Sequence, residues 1–100
     1  YNYILFFTED KALKIKDSFD IKNISGENIV VCSDRSLGFN KLIKLNSTAA
    51  FLWRELKEGD KTAEQLFNSL TDNFTISSVL ALNEIDIFLK ILKENGILTE

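Results

Sequence analysis

Two patterns meet at Leu45-Asn46-Ser47-Thr48-Ala49-Ala50-Phe51-Leu52-Trp53. Before this stretch, short apolar runs that are rich in β-branched residues are separated by turn residues, which is typical of strands. After it, apolar residues recur every three or four positions, which is typical of helices. The sequence therefore predicts an α+β domain in which strands come first and helices follow.

Three strands are predicted in the first half of the domain. Phe19 to Ile24 and Glu27 to Cys32 flank Ser25-Gly26, and a short turn with glycine between two such runs indicates a hairpin. Phe39 to Leu45 is predicted as the third strand, in which Leu42 and Lys44 alternate with Ile43 and Leu45. Tyr3 to Phe7 is a further strand candidate.

Three helices are predicted in the second half, and each has its own start and stop signals. In chain order they are Ala49 to Leu56, capped by Asn46 or Ser47 and stopped by Gly59; a helix opened by the capping-box pair Thr62 and Gln65; and a helix from Ser77 or Ser78 to Asn95, stopped by Gly96. Trp53 lies in the first of these among apolar neighbours, so we predict that it belongs to the core.

The third helix is apolar around most of its circumference. A second apolar stripe, formed by Leu80, Ile87 and Ile91 with Glu84 beside it, lies roughly 120 to 160° from the first. Either this helix is buried on two sides, or the second stripe lines a groove that binds something else. The first stripe, expected to face the core, is Ala81, Leu82, Ile85, Phe88, Leu89 and Leu92.

The composition argues against several kinds of active site. The 100 residues include no histidine and a single cysteine, Cys32, so zinc sites of the usual Cys/His kind and His-containing catalytic triads are absent. The net charge of −3 argues against a nucleic-acid partner, and no apolar run reaches the roughly 18 to 20 residues of a membrane span. We expect a cytoplasmic protein that is not an enzyme and uses no cofactor or metal.

From about Lys14 to Leu98, the order and spacing of several motifs resemble the PqqD family and its relatives, the RiPP recognition elements. The strongest match is Leu45 to Trp53, which resembles the family pattern Leu-Asn-x-Thr-Gly-Ala followed by two apolar residues and Trp. Ala49 departs from the usual glycine, and Glu84 stands where aspartate is common. The other matching segments are Gly26 to Val31, Phe39-Asn40 with Leu42-Ile43, Thr62 to Leu66, Phe74 to Ile76, Ile85, Phe88-Leu89 and Asn95 to Leu98.

Residues 1–13 have no counterpart in the resemblance. We therefore divide the chain into an N-terminal extension over residues 1–13, which contains the candidate extra strand, and a PqqD-like peptide-binding domain over residues 14–100. For that domain the resemblance implies a winged-helix-like fold, with a three-stranded antiparallel sheet followed by three helices.

The resemblance also implies a function. In such domains the leader of a ribosomally made precursor peptide adds as a strand to the edge of the third strand, in the cleft beside the third helix. The domain presents the peptide to a modifying enzyme, which in the PQQ pathway is a radical-SAM protein. The implied peptide-binding residues are Lys41, Leu42, Ile43, Lys44 and Leu45 on the strand, and Leu80, Glu84, Ile87 and Ile91 on the helix.

Two other functions remain open at this point. A winged-helix DNA-binding regulator needs basic and amide side chains on an exposed recognition helix, but Lys61 is nearly all that the second helix offers, and the third mixes Lys90 and Lys93 with acidic residues. A structural or regulatory homodimer of the same fold would use the N-terminal aromatic run and the second stripe as its interface.

The lysines Lys41 and Lys44 either attract an acidic leader or protect an edge strand from aggregation.

Overall fold

A computed structural model describes residues 11–99 of the chain, and in them an antiparallel sheet precedes three α-helices. This order confirms the predicted α+β, winged-helix-like fold class. The Tyr3 to Phe7 strand candidate lies outside the described residues, and the boundary between an extension and a domain at residue 13 stays a prediction. The strands are β1 (Phe19–Ile24), β2 (Glu27–Cys32) and β3 (Lys44–Leu45), and the helices are α1 (Ser47–Glu58), α2 (Ala63–Asn73) and α3 (Ser78–Glu94).

The β1–β2 hairpin forms as the sequence predicted. Its two central turn residues, Ser25 and Gly26, have φ angles of 53° and 83°. Positive φ at both positions is the mark of the tight turn whose twist matches that of paired strands. The turn sets the register, in which Ile21 lies opposite Val30 and Phe19 opposite Cys32.

The third strand is shorter than predicted. The sequence predicted a strand from Phe39 to Leu45, but only Lys44–Leu45 form β3. One further hydrogen bond to β2 precedes this strand, in which Val30 N–H donates to the Ile43 carbonyl at 3.0 Å. Further upstream, the ring of Phe39 packs edge-on against Phe19 with centroids 5.2 Å apart, whereas Leu42 is 74% exposed. The aromatic contact draws the chain onto the core, and an exposed Leu42 contributes no packing that would hold its segment beside β2.

The helices begin at the predicted caps. Asn46 Oδ1 accepts a hydrogen bond from Ala49 N–H at 2.9 Å at the start of α1. Thr62 and Gln65 form a reciprocal capping box at the start of α2, with side-chain-to-backbone distances of 3.2 and 2.9 Å. Because these signals are local, they satisfy the free N–H groups of each first turn whatever the tertiary packing.

The core lies between the inner face of the sheet and the three helices. Trp53 is 0% exposed, which confirms its predicted place in the core. Buried residues come from every strand and helix and include, besides Trp53, Phe19, Val30, Leu45, Leu52, Leu56, Leu66, Leu70, Ile85, Phe88 and Leu92.

Backbone hydrogen bonds hold the N-terminal end of the described chain to Lys61 and to the C-terminal end. Leu13 and Lys61 exchange two of them, at 2.8 and 3.2 Å. Lys16 N–H donates to the Ile97 carbonyl at 2.9 Å, and Thr99 N–H donates to the Lys14 carbonyl at 2.8 Å. We call this arrangement of residues 13–16, 61 and 97–99 the terminal clasp.

Candidate functional site

A small cavity lies where β3, the start of α1 and the middle of α3 meet, and we call it the β3–α3 cleft. Its volume is about 80 Å³, enough to seat part of one side chain. Five of the nine peptide-binding residues expected from the sequence line it, so the structure brings this part of the predicted site together. The lining residues are Lys44, Leu45, Asn46, Thr48, Ala49, Glu84, Ile87, Phe88 and Ile91.

The other four expected residues lie outside the cavity. Lys41, Leu42 and Ile43 precede β3, and Leu80 lies on α3 one helical turn before Glu84. The side chain of Leu80 is 52% exposed. This end of α3 is therefore an apolar surface beside the cleft and does not form one of its walls.

The second stripe of α3 is not internal core. Ile87 is 46% exposed, Leu80 is more exposed still and Ile91 is only partly buried, while Ile85 and Phe88 on the first stripe are buried. Two-sided burial, one of the two interpretations that the sequence allowed, is therefore wrong. The helix packs on its own domain through the first stripe and presents the second beside β3.

Asn46, Thr48, Ala49 and Phe88 line the cleft although the sequence did not single them out as site residues. Thr48 Oγ1 lies 2.6 Å from Glu84 Oε1 and 3.0 Å from Asn46 Oδ1, so its single proton can be donated to either oxygen. The shorter contact joins the first turn of α1 to α3 across 36 residues of sequence. Charge-assisted hydrogen bonds of this kind are strong, and this one fixes the width of the cleft at its polar end.

The edge of β3 that faces away from β2 has no strand partner among residues 11–99, because the strand order is β1-β2-β3. Lys44 forms an ion pair with Glu27 on β2 at 3.2 Å, and both side chains are more than half exposed. An exposed pair of this kind contributes little to stability. The open edge of β3 and the apolar stripe of α3 thus lie on two sides of one cleft.

The described part of the chain offers little for other chemistry. Within residues 11–99, no group of three or more Cys, Asp or Glu side chains is placed to hold a metal ion. None of the helices described there is both long enough and apolar enough to cross a membrane.

Comparisons with known proteins agree on one family and one fold. The profile of the family described as coenzyme PQQ synthesis protein D (PqqD) matches residues 24–98. Two solved structures are similar over most of both chains: TbiB1 in complex with the TbiA(beta) leader peptide, and lasso peptide synthetase B1 complexed with the leader peptide.

TbiB1 is 19% identical with a TM-score of 0.65, and the alignment covers 85% of this chain and 93% of that one. Lasso peptide synthetase B1 is 18% identical with a TM-score of 0.66, over 88% and 98%. At these identities the likeness shows a shared fold. No curated protein sequence gives a significant match.

Proposed function

The chain belongs to the PqqD family, and from this we propose that it is a non-catalytic module that captures the leader of a ribosomally made precursor peptide. The two solved structures of similar fold are both complexes with leader peptides, which supports peptide binding as the function of this fold. The module would act in the cytoplasm and hand the captured peptide to a modifying enzyme of the radical-SAM type.

One observation carries the proposal: a half-exposed apolar stripe on α3 lies beside an open strand edge. A peptide that adds to an edge strand gains main-chain hydrogen bonds from the strand, and it gains specificity from pockets for alternate side chains. Here β3 supplies the edge, and the β3–α3 cleft supplies a pocket with apolar walls at Ile87 and Ile91. The small volume favours an aliphatic side chain of the leader over an aromatic one.

The short β3 fits this mode of binding. Only Lys44 and Leu45 form β3, and just before them the Ile43 carbonyl still accepts from Val30 N–H, whereas Lys41 and Leu42 lie outside any strand. We propose that the leader pairs along Lys41 to Leu45, and that this segment becomes more regular when it gains a second neighbour. Lys41 and Lys44 would then lie beside the leader, where they favour acidic side chains in it.

The direct test is an NMR titration of the full chain with the leader of the precursor peptide encoded beside its gene. We expect the largest shifts of backbone amides in residues 41–45, 48–49 and 84–91. Shifts confined to α2, or no saturable shifts at millimolar leader, would contradict the proposal.

A homodimer is the second candidate, because an open strand edge and an exposed leucine, Leu42, also suit a second copy of the chain. Sedimentation of the protein over a hundredfold range of concentration separates the two. Dimerisation that added leader leaves unchanged would favour the second candidate, and a monomer that binds leader would favour the first.

A further inference from the structure

The sheet has two outer edges, one on β1 and one on β3, and their main-chain groups differ in what they meet. Along a strand of an antiparallel sheet, successive residues turn their main-chain groups alternately to one side and to the other. Val30 N–H donates to Ile43, so the main chain of Val30 faces β3, and Ile21, which lies opposite Val30, turns its own main chain outward. By the same alternation, the main chains of Phe19 and Asn23 also face outward.

The outward groups at the start of β1 are already bonded within the chain. Lys57 Nζ on α1 donates to the Phe19 carbonyl at 2.8 Å, and Phe19 N–H donates to the Lys16 carbonyl at 3.1 Å. Ile21 N–H donates to Oδ1 of Asp20 at 2.8 Å. A strand that added to β1 would need these same groups, so this edge is closed along its first half.

The edge of β3 has no such closure. The carbonyl of Ile43 faces β2, so the alternation turns the main chain of the next residue, Lys44, outward. Neither the N–H nor the carbonyl of Lys44 bonds to another of residues 11–99. A strand can therefore add to β3 directly, whereas on β1 it must first displace Lys57 and Asp20.

The edge of β1 is complementary to itself in charge. If the β1 edges of two copies met antiparallel about Ile21, Asp20 of each copy would lie opposite Lys22 of the other. A register moved by one step either way would set Asp20 opposite Asp20, or Lys22 opposite Lys22. Opposite charges across a strand pair stabilise it and like charges destabilise it, so the charges select the pairing about Ile21.

Every hydrogen bond of that self-pairing needs a group that is occupied in the single chain. Phe19 of one copy would lie opposite Asn23 of the other, and the bonds between them use the N–H and the carbonyl of Phe19. The bonds between the two Ile21 residues use Ile21 N–H, which donates to Asp20. The closure of β1 therefore blocks the partner that its own charges favour.

We propose that Lys57, with Asp20, decides which edge of the sheet accepts a strand: the two close β1 to a second copy of this chain and leave β3 open. Asp20 would give up Ile21 N–H in return for Lys22 of the second copy, whereas Lys57 belongs to neither strand. Lys57 is therefore the side chain whose loss opens the edge. The inference rests on the proposed function only in that the strand taken by β3 is a leader, so the closure of β1 is tested without peptide.

Lys57→Met keeps the aliphatic stem of the side chain but frees the Phe19 carbonyl in each of two copies. Sedimentation of the full chain should show that this variant dimerises at a concentration roughly 5- to 150-fold lower than the wild type, the worth of two hydrogen bonds. Lys57→Arg keeps a donor and should associate as the wild type does. Lys61→Met is the matched control, because Lys61 Nζ donates at 2.9 Å to the carbonyl of Glu55 on α1 and not to a strand edge.

The register and the position of the contact can be tested separately. Lys22→Glu, added to Lys57→Met, sets carboxylates opposite each other twice in the self-pairing and should return association to the wild-type level. Hydrogen exchange measured by NMR locates the contact. In Lys57→Met the amides of Ile21 and Asn23 should gain protection as the protein concentration rises, and the amide of Lys44 should not.

Several results would overturn the proposal. Association of Lys57→Met that equals that of the wild type or of Lys61→Met is one, with circular dichroism showing that each variant is folded. A double variant that associates as strongly as Lys57→Met is another. Protection of Lys44 in place of Ile21 would put the contact on β3, and protection of Ile21 that rises with concentration in the wild type would show that Lys57 does not close β1.

Discussion

Ile87→Glu is the substitution that tests the β3–α3 cleft most sharply. Burying a whole isoleucine side chain is worth about 1.5 to 3 kcal/mol, so a leader that covers the exposed 46% of Ile87 gains about 0.7 to 1.4 kcal/mol. A glutamate forfeits this gain and adds about 1 to 3 kcal/mol for desolvating a carboxylate, with Glu84 one turn away. The total of about 2 to 4 kcal/mol predicts a leader affinity that is about 30- to 700-fold weaker.

The fold should tolerate the same substitution. Ile87 is already half exposed, so the loss to folding is about 1 to 1.5 kcal/mol, a small part of the roughly 5 to 15 kcal/mol of a typical domain. Val79→Glu is the matched control, because Val79 lies on the same helix, is 69% exposed and does not line the cleft.

Isothermal titration calorimetry with the leader peptide measures the leader affinities of the wild type, Ile87→Glu and Val79→Glu, and circular dichroism shows whether each protein is folded. Leader binding by Ile87→Glu that equals that of the wild type would refute the position of the cleft. Unfolding of Ile87→Glu, but not of Val79→Glu, would refute the partial burial of Ile87 on which the estimate rests.

Two further predictions concern stability, measured by chemical denaturation. Trp53→Ala should lower the free energy of unfolding by about 3 to 5 kcal/mol, because it empties a fully buried site, and an unchanged midpoint would show that Trp53 is not in the core. Thr48→Val keeps the shape of the side chain but removes the hydrogen bond to Glu84, and should cost about 1 to 2 kcal/mol. Thr48→Ser keeps the hydroxyl and should recover most of that loss; if the serine variant is as unstable as the valine variant, the 2.6 Å contact is not what joins α1 to α3.

The parts of the fold that the sequence predicted well are those with local causes. The Ser25-Gly26 turn, the Asn46 cap and the Thr62–Gln65 capping box each act within a few residues, so their signals can be recognised along the chain. The length of β3 has no such local cause. It depends on Phe39 meeting the ring of Phe19, 20 positions earlier, and alternation along the strand carries no information about that contact.

The same distinction between local and distant causes applies to the residues of the candidate site. Helical periodicity was enough to predict that Ile87 and Ile91 share one face of α3, where both line the β3–α3 cleft, because residues on one face of a helix share their surroundings. Thr48 was missed because its partner, Glu84, lies 36 residues away and no pattern in the sequence joins them. Burial of Trp53 was predicted from its apolar neighbours, but whether an acceptor reaches its Nε1 depends on the three-dimensional packing.

The terminal clasp has a consequence for the order of folding. Lys14 and Thr99 are 85 residues apart in sequence, whereas the hairpin and the helices form from neighbours along the chain. Loop closure costs more entropy as the loop grows, so local elements form early and contacts between distant segments form late. On the ribosome, Lys14 and Lys16 must therefore wait for Ile97 and Thr99 to emerge, and the nascent domain acquires these backbone hydrogen bonds only after the whole region has been synthesised.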